Sequence, residues 1–228
     1  MPGPITVISS MATRQILNEL IVADTQTGRS VKLVSVGGVD AARRLRAGEV
    51  FDLVVLASGA LEALSDDGYV IGDSIRTFAR SPTAVALPAG VPRPARCDET
   101  AIRDLVSNAK RIGISTGPSG VSIERLLRDW GVPDLERRIV RAAPGVPVAR
   151  MLASGEADIG FQQLSELLGE PGIEIVGAMP ISLQPMTIFS CGIGRGTADA
   201  AATRDFIRFL VSDDDAAAKR RNGMEPGG

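Results

Sequence analysis

The sequence predicts an α/β protein of two lobes, each a largely parallel sheet flanked by helices, with the chain passing between the lobes twice. Short apolar runs alternate with amphipathic stretches, the pattern of β-α-β units. That pattern appears in two blocks, separated by the proline-bearing stretch Ala89-Gly90-Val91-Pro92-Arg93-Pro94. Two strand-like segments beside prolines, Thr77–Pro88 and Met186–Gly194, fit neither block and read as the crossings. The first lobe is then discontinuous, 1–82 with 188–228, and 83–187 is the inserted second lobe.

In the first block Ile5–Ile8 reads as a strand, and Ala12, Ile16, Leu17, Leu20 and Ile21 mark one face of a helix. Val31–Val36 is a strand, followed by a helix through Ala47 that Gly48 stops. Phe51–Ala57 is almost wholly apolar, as suits a strand covered on both faces. A helix from about Ala60 to Ser65 then meets the turn Asp66-Asp67-Gly68. In the second block Arg111–Ile114 is a strand, and Ile123, Leu126, Leu127 and Trp130 share a helix face. Arg138–Arg141 is a strand, and Val148, Met151 and Leu152 open a helix that Gly155 ends. Ala157–Phe161 and Ile173–Val176 are further strands. Ala202, Phe206, Phe209 and Leu210 mark a late helix, and Ser212-Asp213 caps a last one.

Composition removes several classes of function. A net charge of −2 gives no broad basic field for nucleic acid or an anionic membrane, so any attraction for anions is local. One Trp and one Tyr leave little for stacking bases or sugars. The absence of histidine removes the Ser-His-Asp triad and the commonest neutral-pH base. Cys97 and Cys191 are widely separated without metal-like spacing and read as free thiols, so no metal and no cofactor is expected. No apolar run approaches the roughly 20 residues of a membrane-spanning helix. The protein is expected in the cytoplasm if Met1 is native, and in the periplasm if a leader was removed. A monomer is expected, because each lobe covers its own apolar faces.

Four strand-to-helix loops are built from small or backbone-exposing residues. They are Ser9-Ser10-Met11, Gly37-Gly38-Val39, Gly117-Pro118-Ser119-Gly120 and Pro144-Gly145-Val146. A fifth strand ends at Gly160-Phe161-Gln162-Gln163. Free N–H groups and hydroxyls at helix starts favour anions, so the set points to one converging anion site. Serine in such loops also caps helices, and Gly37-Gly38 also suits a plain tight turn. Pro147 leaves the Gly145 and Val146 N–H groups available. The Gln162-Gln163 amides donate to a carboxylate or accept from a hydroxyl. Asp40 either caps its helix or serves as a proton acceptor, and Arg43 either clamps a carboxylate or pairs with Asp40 three residues away. Arg137, Arg138 and Arg141 read as a solvated face.

The chain resembles the molybdate-binding branch of the type 2 periplasmic binding proteins. The resemblance rests on Ile5-Thr6-Val7-Ile8-Ser9-Ser10, Arg44-Leu45-Arg46-Ala47-Gly48, Phe51-Asp52-Leu53-Val54-Val55, Gly117-Pro118-Ser119-Gly120, Ser154-Gly155-Glu156-Ala157-Asp158-Ile159-Gly160 and Gly223-Met224-Glu225-Pro226. It implies two lobes closing on an oxyanion held by hydroxyls and backbone N–H groups. By position those contacts fall at Ser9 or Ser10, Gly38 or Val39, Ser119, Val146 and Gln163, with Gly120, Gly145, Gln162 and Arg43 beside them. The loop Gly37-Gly38-Val39-Asp40 and the amide at Gln163 depart from the molybdate pattern. The run Gly160-Phe161-Gln162-Gln163-Leu164-Ser165-Glu166-Leu167 with Pro171-Gly172-Ile173 is similar to the family's aconitate isomerase branch. That similarity implies a small di- or tricarboxylate and a 1,3-proton shift, with Asp40 as the nearest base. The alternative is a non-catalytic receptor delivering molybdate, tungstate or a carboxylate to an ABC permease. A cytoplasmic ligand sensor is a third reading.

Overall fold

The computed structural model describes residues 3–24, 30–143, 145–184 and 186–227. Its elements, in chain order, are β1 (Ile5–Ser10), α1 (Arg14–Ala23), β2 (Val31–Val36), α2 (Gly38–Arg46), β3 (Leu53–Ala57), α3 (Ser58–Asp66) and β4 (Arg76–Ser81). There follow β5 (Thr83–Pro88), α4 (Glu99–Asn108), β6 (Ile112–Ile114), α5 (Pro118–Asp129), α6 (Leu135–Arg138), β7 (Ile139–Arg141) and α7 (Val148–Ala153). The chain closes through β8 (Ile159–Gln163), α8 (Leu164–Leu167), β9 (Ile173–Ala178), β10 (Thr187–Ile193), α9 (Ala200–Leu210), α10 (Ala216–Arg221) and β11 (Glu225–Pro226). These elements form two compact units: the chain up to Arg80 with Ile188 onward, and Ser81–Thr187.

The first unit carries a sheet of order β11-β4-β10-β3-β1-β2. Its β1, β2 and β3 run parallel, whereas β10 opposes β3 and β11 opposes β4. Strand alternation sends Ile5, Val7, Leu53 and Val55 into one core with Ile16, Leu17 and Leu20 of α1 and Phe206 and Leu210 of α9. Ile8, Val54 and Leu56 face the opposite way, onto Ala41 and Leu45 of α2 and Leu61 and Leu64 of α3. Covering both faces is why β3 reads as an unbroken apolar run.

The second unit has the order β7-β6-β8-β5-β9, with β6 parallel to β7 and β8, and β5 antiparallel to β8 and β9. Val85, Ile112, Ile114, Ile159 and Phe161 pack against α4 and α5 through Ile102, Val106, Ile123 and Leu127. On the other face Ala84 and Ala86 leave room for Val148, Met151 and Leu152 of α7.

Several boundaries differ from the sequence reading for identifiable reasons. The strand expected at Phe51 starts at Leu53, because Asp52 is engaged beforehand: its carboxylate accepts from the Thr6 N–H and hydroxyl at 2.8 and 2.6 Å and from Thr197 at 2.6 Å. Thr77–Pro88 is two strands broken at Pro82, which has no N–H to give a ladder. β8 runs on through Gln162 and Gln163, since these pair with Ala84 and Thr83. Arg138 is more than a solvated charge: its guanidinium donates to the Val106 and Ala109 carbonyls at the end of α4. The turn at Ser212 is as expected, with its hydroxyl accepting from the Asp214 N–H at 3.2 Å. Both cysteines are free, and burial pushes the Cys191 thiol up to about 12.

Helix α4 was not read from sequence. Its signal was Asp98, whose carboxylate accepts from the Ala101 N–H at 3.0 Å. Asp98→Ala is expected to cost about 1 kcal/mol, measured as a shift in the urea midpoint with unchanged slope.

Candidate functional site

In the first unit the C-terminal ends of the parallel strands gather small polar groups. Ser9 and Ser10 end β1 level with Ser35 and Val36 of β2. The Ser9 and Ser35 hydroxyls are 2.8 Å apart, and the Ser10 hydroxyl is buried with no partner. Neither is spent on capping: the turn that follows receives no side-chain bond from Ser10. Gly37 and Gly38 open α2 beside the exposed Val39. Asp40 and Arg43 bond to one another, in a pair whose arginine side chain is 75% exposed. Ser58, which starts α3, meets Ser190 at 2.7 Å.

The second unit repeats the arrangement at β6, β7 and β8. Gly117 precedes α5, Pro118 occupies its first turn, and the buried Ser119 lies 3.1 Å from the Ser115 hydroxyl. Gly120 is required by packing, because a Cβ there would lie 1.8 Å from the Ser115 carbonyl oxygen. Of the next loop, Pro144 lies outside the described residues. Gly145 has φ +78°. The Val146 N–H donates to the Ala143 carbonyl at 2.9 Å, so it closes a turn instead of being left available as the sequence suggested.

Adjacent residues on a strand face opposite ways, and the two glutamines are separated accordingly. Gln162 shares a face with α7: its Oε1 accepts from the Val148 N–H at 2.7 Å and its Nε2 donates to Glu166 at 2.7 Å. Since an N–H can only donate, the Val148 bond fixes the amide and directs Nε2 to the carboxylate. Gln163 lies on the other face, pairs across the ladder with Thr83, and donates through Nε2 to the Thr187 hydroxyl at 2.6 Å. Its Oε1 is buried without a partner, as are the hydroxyls of Ser81, Thr83 and Ser165.

Glu166 is the titratable group of most chemical interest. Burial raises its carboxyl to about 7, outweighing the opposing hydrogen bond from Gln162. Sequence reading named Asp40 as the base and passed over Glu166, along with Ser35, Ser58, Ser81, Thr83, Ser165 and Thr187. Single hydroxyls and a helical glutamate carry no local signal; only the ladder shows which of them are buried.

Each unit is thus an α/β layer whose small and hydroxyl-bearing residues collect at the carboxyl ends of parallel strands, where such sheets bind small solutes. That is the build of a solute-binding protein. Residues 5–225 match the bacterial extracellular solute-binding proteins, and the chain belongs to that family. It is 34% identical to an aconitate isomerase of Pseudomonas sp over 186 residues, which is 80% of this chain and 70% of the isomerase. It is similar in structure to the periplasmic molybdate-binding protein of Azotobacter vinelandii, with a TM-score of 0.80 at 22% identity over 96% of this chain and 98% of that one. Peb3 from Campylobacter jejuni is also similar, with a TM-score of 0.72 at 18% identity over 97% and 99%. Among the described residues no helix is long and apolar enough to cross a membrane.

Proposed function

We propose that the chain binds a small di- or tricarboxylate and interconverts allylic isomers of it by a 1,3-proton shift, with cis- and trans-aconitate as the substrate pair. The observation that carries this reading is the 34% identity to the Pseudomonas aconitate isomerase over 80% of the chain. Each unit offers its own donors to such an anion: Ser9, Ser10, Gly38 and Val39 in the first, and Ser119, Gly120, Gly145 and Gln163 in the second. Gln162 acts indirectly, by holding Glu166.

A proton leaves the methylene carbon beside one carboxylate, its electron pair spreads into a dienolate, and a proton returns at the other end of the allylic system. No atom is gained or lost and no redox partner is needed. Hydroxyl donors and α-helix starts stabilise the charge that develops on the carboxylate oxygens. Moving the proton requires a group poised near neutrality. Glu166 meets that requirement better than Asp40, which is tied to Arg43 beside solvent.

Incubation with cis-aconitate, followed by proton NMR in deuterated water, is expected to show trans-aconitate with deuterium at the allylic carbons. Ligand-dependent melting is run in parallel, because a solute that binds only the folded state raises its melting temperature. A rise with molybdate and none with any carboxylate would overturn the reading. It would favour the alternative, a receptor delivering an oxyanion to an ABC permease, on the likeness to the Azotobacter protein.

A further inference from the structure

Four buried polar groups of the second unit have no partner: the hydroxyls of Ser81, Thr83 and Ser165 and the Oε1 of Gln163. Their residues are 0, 1, 2 and 3% exposed. Burying an unsatisfied polar group is costly, so four in one unit call for an occupant.

The ladder places them together. Thr83 and Gln163 are antiparallel partners, which brings their side chains side by side on one face. The Leu164 N–H donates to the Pro82 carbonyl at 2.9 Å, extending the pairing one step past the end of β8. Ser81 and Ser165 adjoin that bond in sequence, Ser81 as the last residue of β4 and Ser165 as the second residue of α8. The cluster therefore lies at the carboxyl end of β8, against the amide that the proposed function already uses.

All four groups are uncharged. Three are hydroxyls, able to donate or accept, whereas Gln163 Oε1 only accepts. A fully ionised oxyanion offers acceptors alone, so it leaves that oxygen unanswered. We infer that Ser81, Thr83, Gln163 and Ser165 form a subsite for a ligand group that itself donates a hydrogen bond, either an alcohol hydroxyl or an undissociated carboxyl. This rests on the carboxylate reading and deepens it: one end of the ligand is held as a neutral group, while the other carboxylates meet the helix-start loops.

The test is calorimetric titration of the wild-type protein, Thr83→Val and Ser165→Ala with citrate and with tricarballylate, which differ by one hydroxyl. Each titration is repeated in two buffers of different ionisation enthalpy. A hydroxyl in the subsite predicts at least tenfold tighter binding of citrate, lost in both variants. An undissociated carboxyl predicts equal affinities with uptake of about one proton on binding, and both the uptake and at least tenfold of the affinity fall in the variants. Thr83→Val also removes an unpaired buried hydroxyl, so the unliganded variant melts no lower than the wild type. Wild-type binding with neither preference nor uptake, or variants that bind as the wild type does, overturns the subsite and leaves the carboxylate reading standing. Failure of every carboxylate to bind the wild type overturns both.

Discussion

Glu166→Gln is expected to lower aconitate interconversion by about 10²–10⁴-fold while leaving carboxylate affinity within a few-fold of the wild type. The substitution keeps shape and leaves an amide oxygen to accept from Gln162 Nε2, but it cannot take up a proton. The wild-type rate should rise with pH to a plateau through a single ionisation near 7, the value at which burial sets this carboxyl. The variant's residual rate should lose that ionisation. Unchanged turnover in Glu166→Gln would return the proton-transfer role to Asp40 or to a group outside the chain's carboxylates.

The same residue carries a stability effect of definite sign. Its carboxyl is raised from 4.5 to about 7 on folding, so between those values the folded state holds a proton that the unfolded state has released. Stability from this group is fully present below the unfolded value and is lost as pH rises through the folded one. Relative to Glu166→Gln, the wild type should lose roughly 3 kcal/mol between the two values and no more above them. Urea midpoints of the two proteins, compared from pH 4 to about pH 9, read this directly. A difference that stays flat with pH would show that the carboxyl is not raised by burial.

Gly120→Ala is the second large effect. Its added methyl would sit 1.8 Å from the Ser115 carbonyl oxygen, and that neighbour is backbone, so it cannot swing aside as a side chain could. The start of α5 must move away from β6, at an expected cost of about 3 kcal/mol or more. Ser119 moves with it, so ligand affinity should fall even under conditions where the variant stays folded. Urea unfolding reads the first effect and calorimetry with the wild-type ligand the second. A variant with wild-type stability would mean that this approach of chain to chain is not rigid. The glycine in Gly117-Pro118-Ser119-Gly120 therefore serves packing first, and through packing the position of the serine.

The legible parts of the sequence were those with a period or a punctuation mark. β2 was recovered residue for residue, Gly48 and Gly155 stop their helices at positive φ, and α5 follows the spacing of Ile123 and Leu127. The two-lobed α/β class was readable because strand and helix periods alternate in two blocks. Helix α4 escaped because its apolar face holds only Ile102 and Val106 fully buried, behind a stretch rich in proline.

Local sequence thus determined which elements form and where small residues expose the backbone at strand ends, since those choices depend on neighbours a few positions away. Partnership was decided only by the tertiary structure. Gln162 and Gln163 are adjacent in sequence, yet one is spent on Val148 and Glu166 while the other keeps an unanswered oxygen. Thr83 and Gln163 are 80 positions apart and are brought across from one another by the pairing of β5 with β8. Whether a hydroxyl is satisfied, and whether a carboxyl holds its proton at neutral pH, depends on desolvation and on partners from distant segments, and no local pattern encodes either.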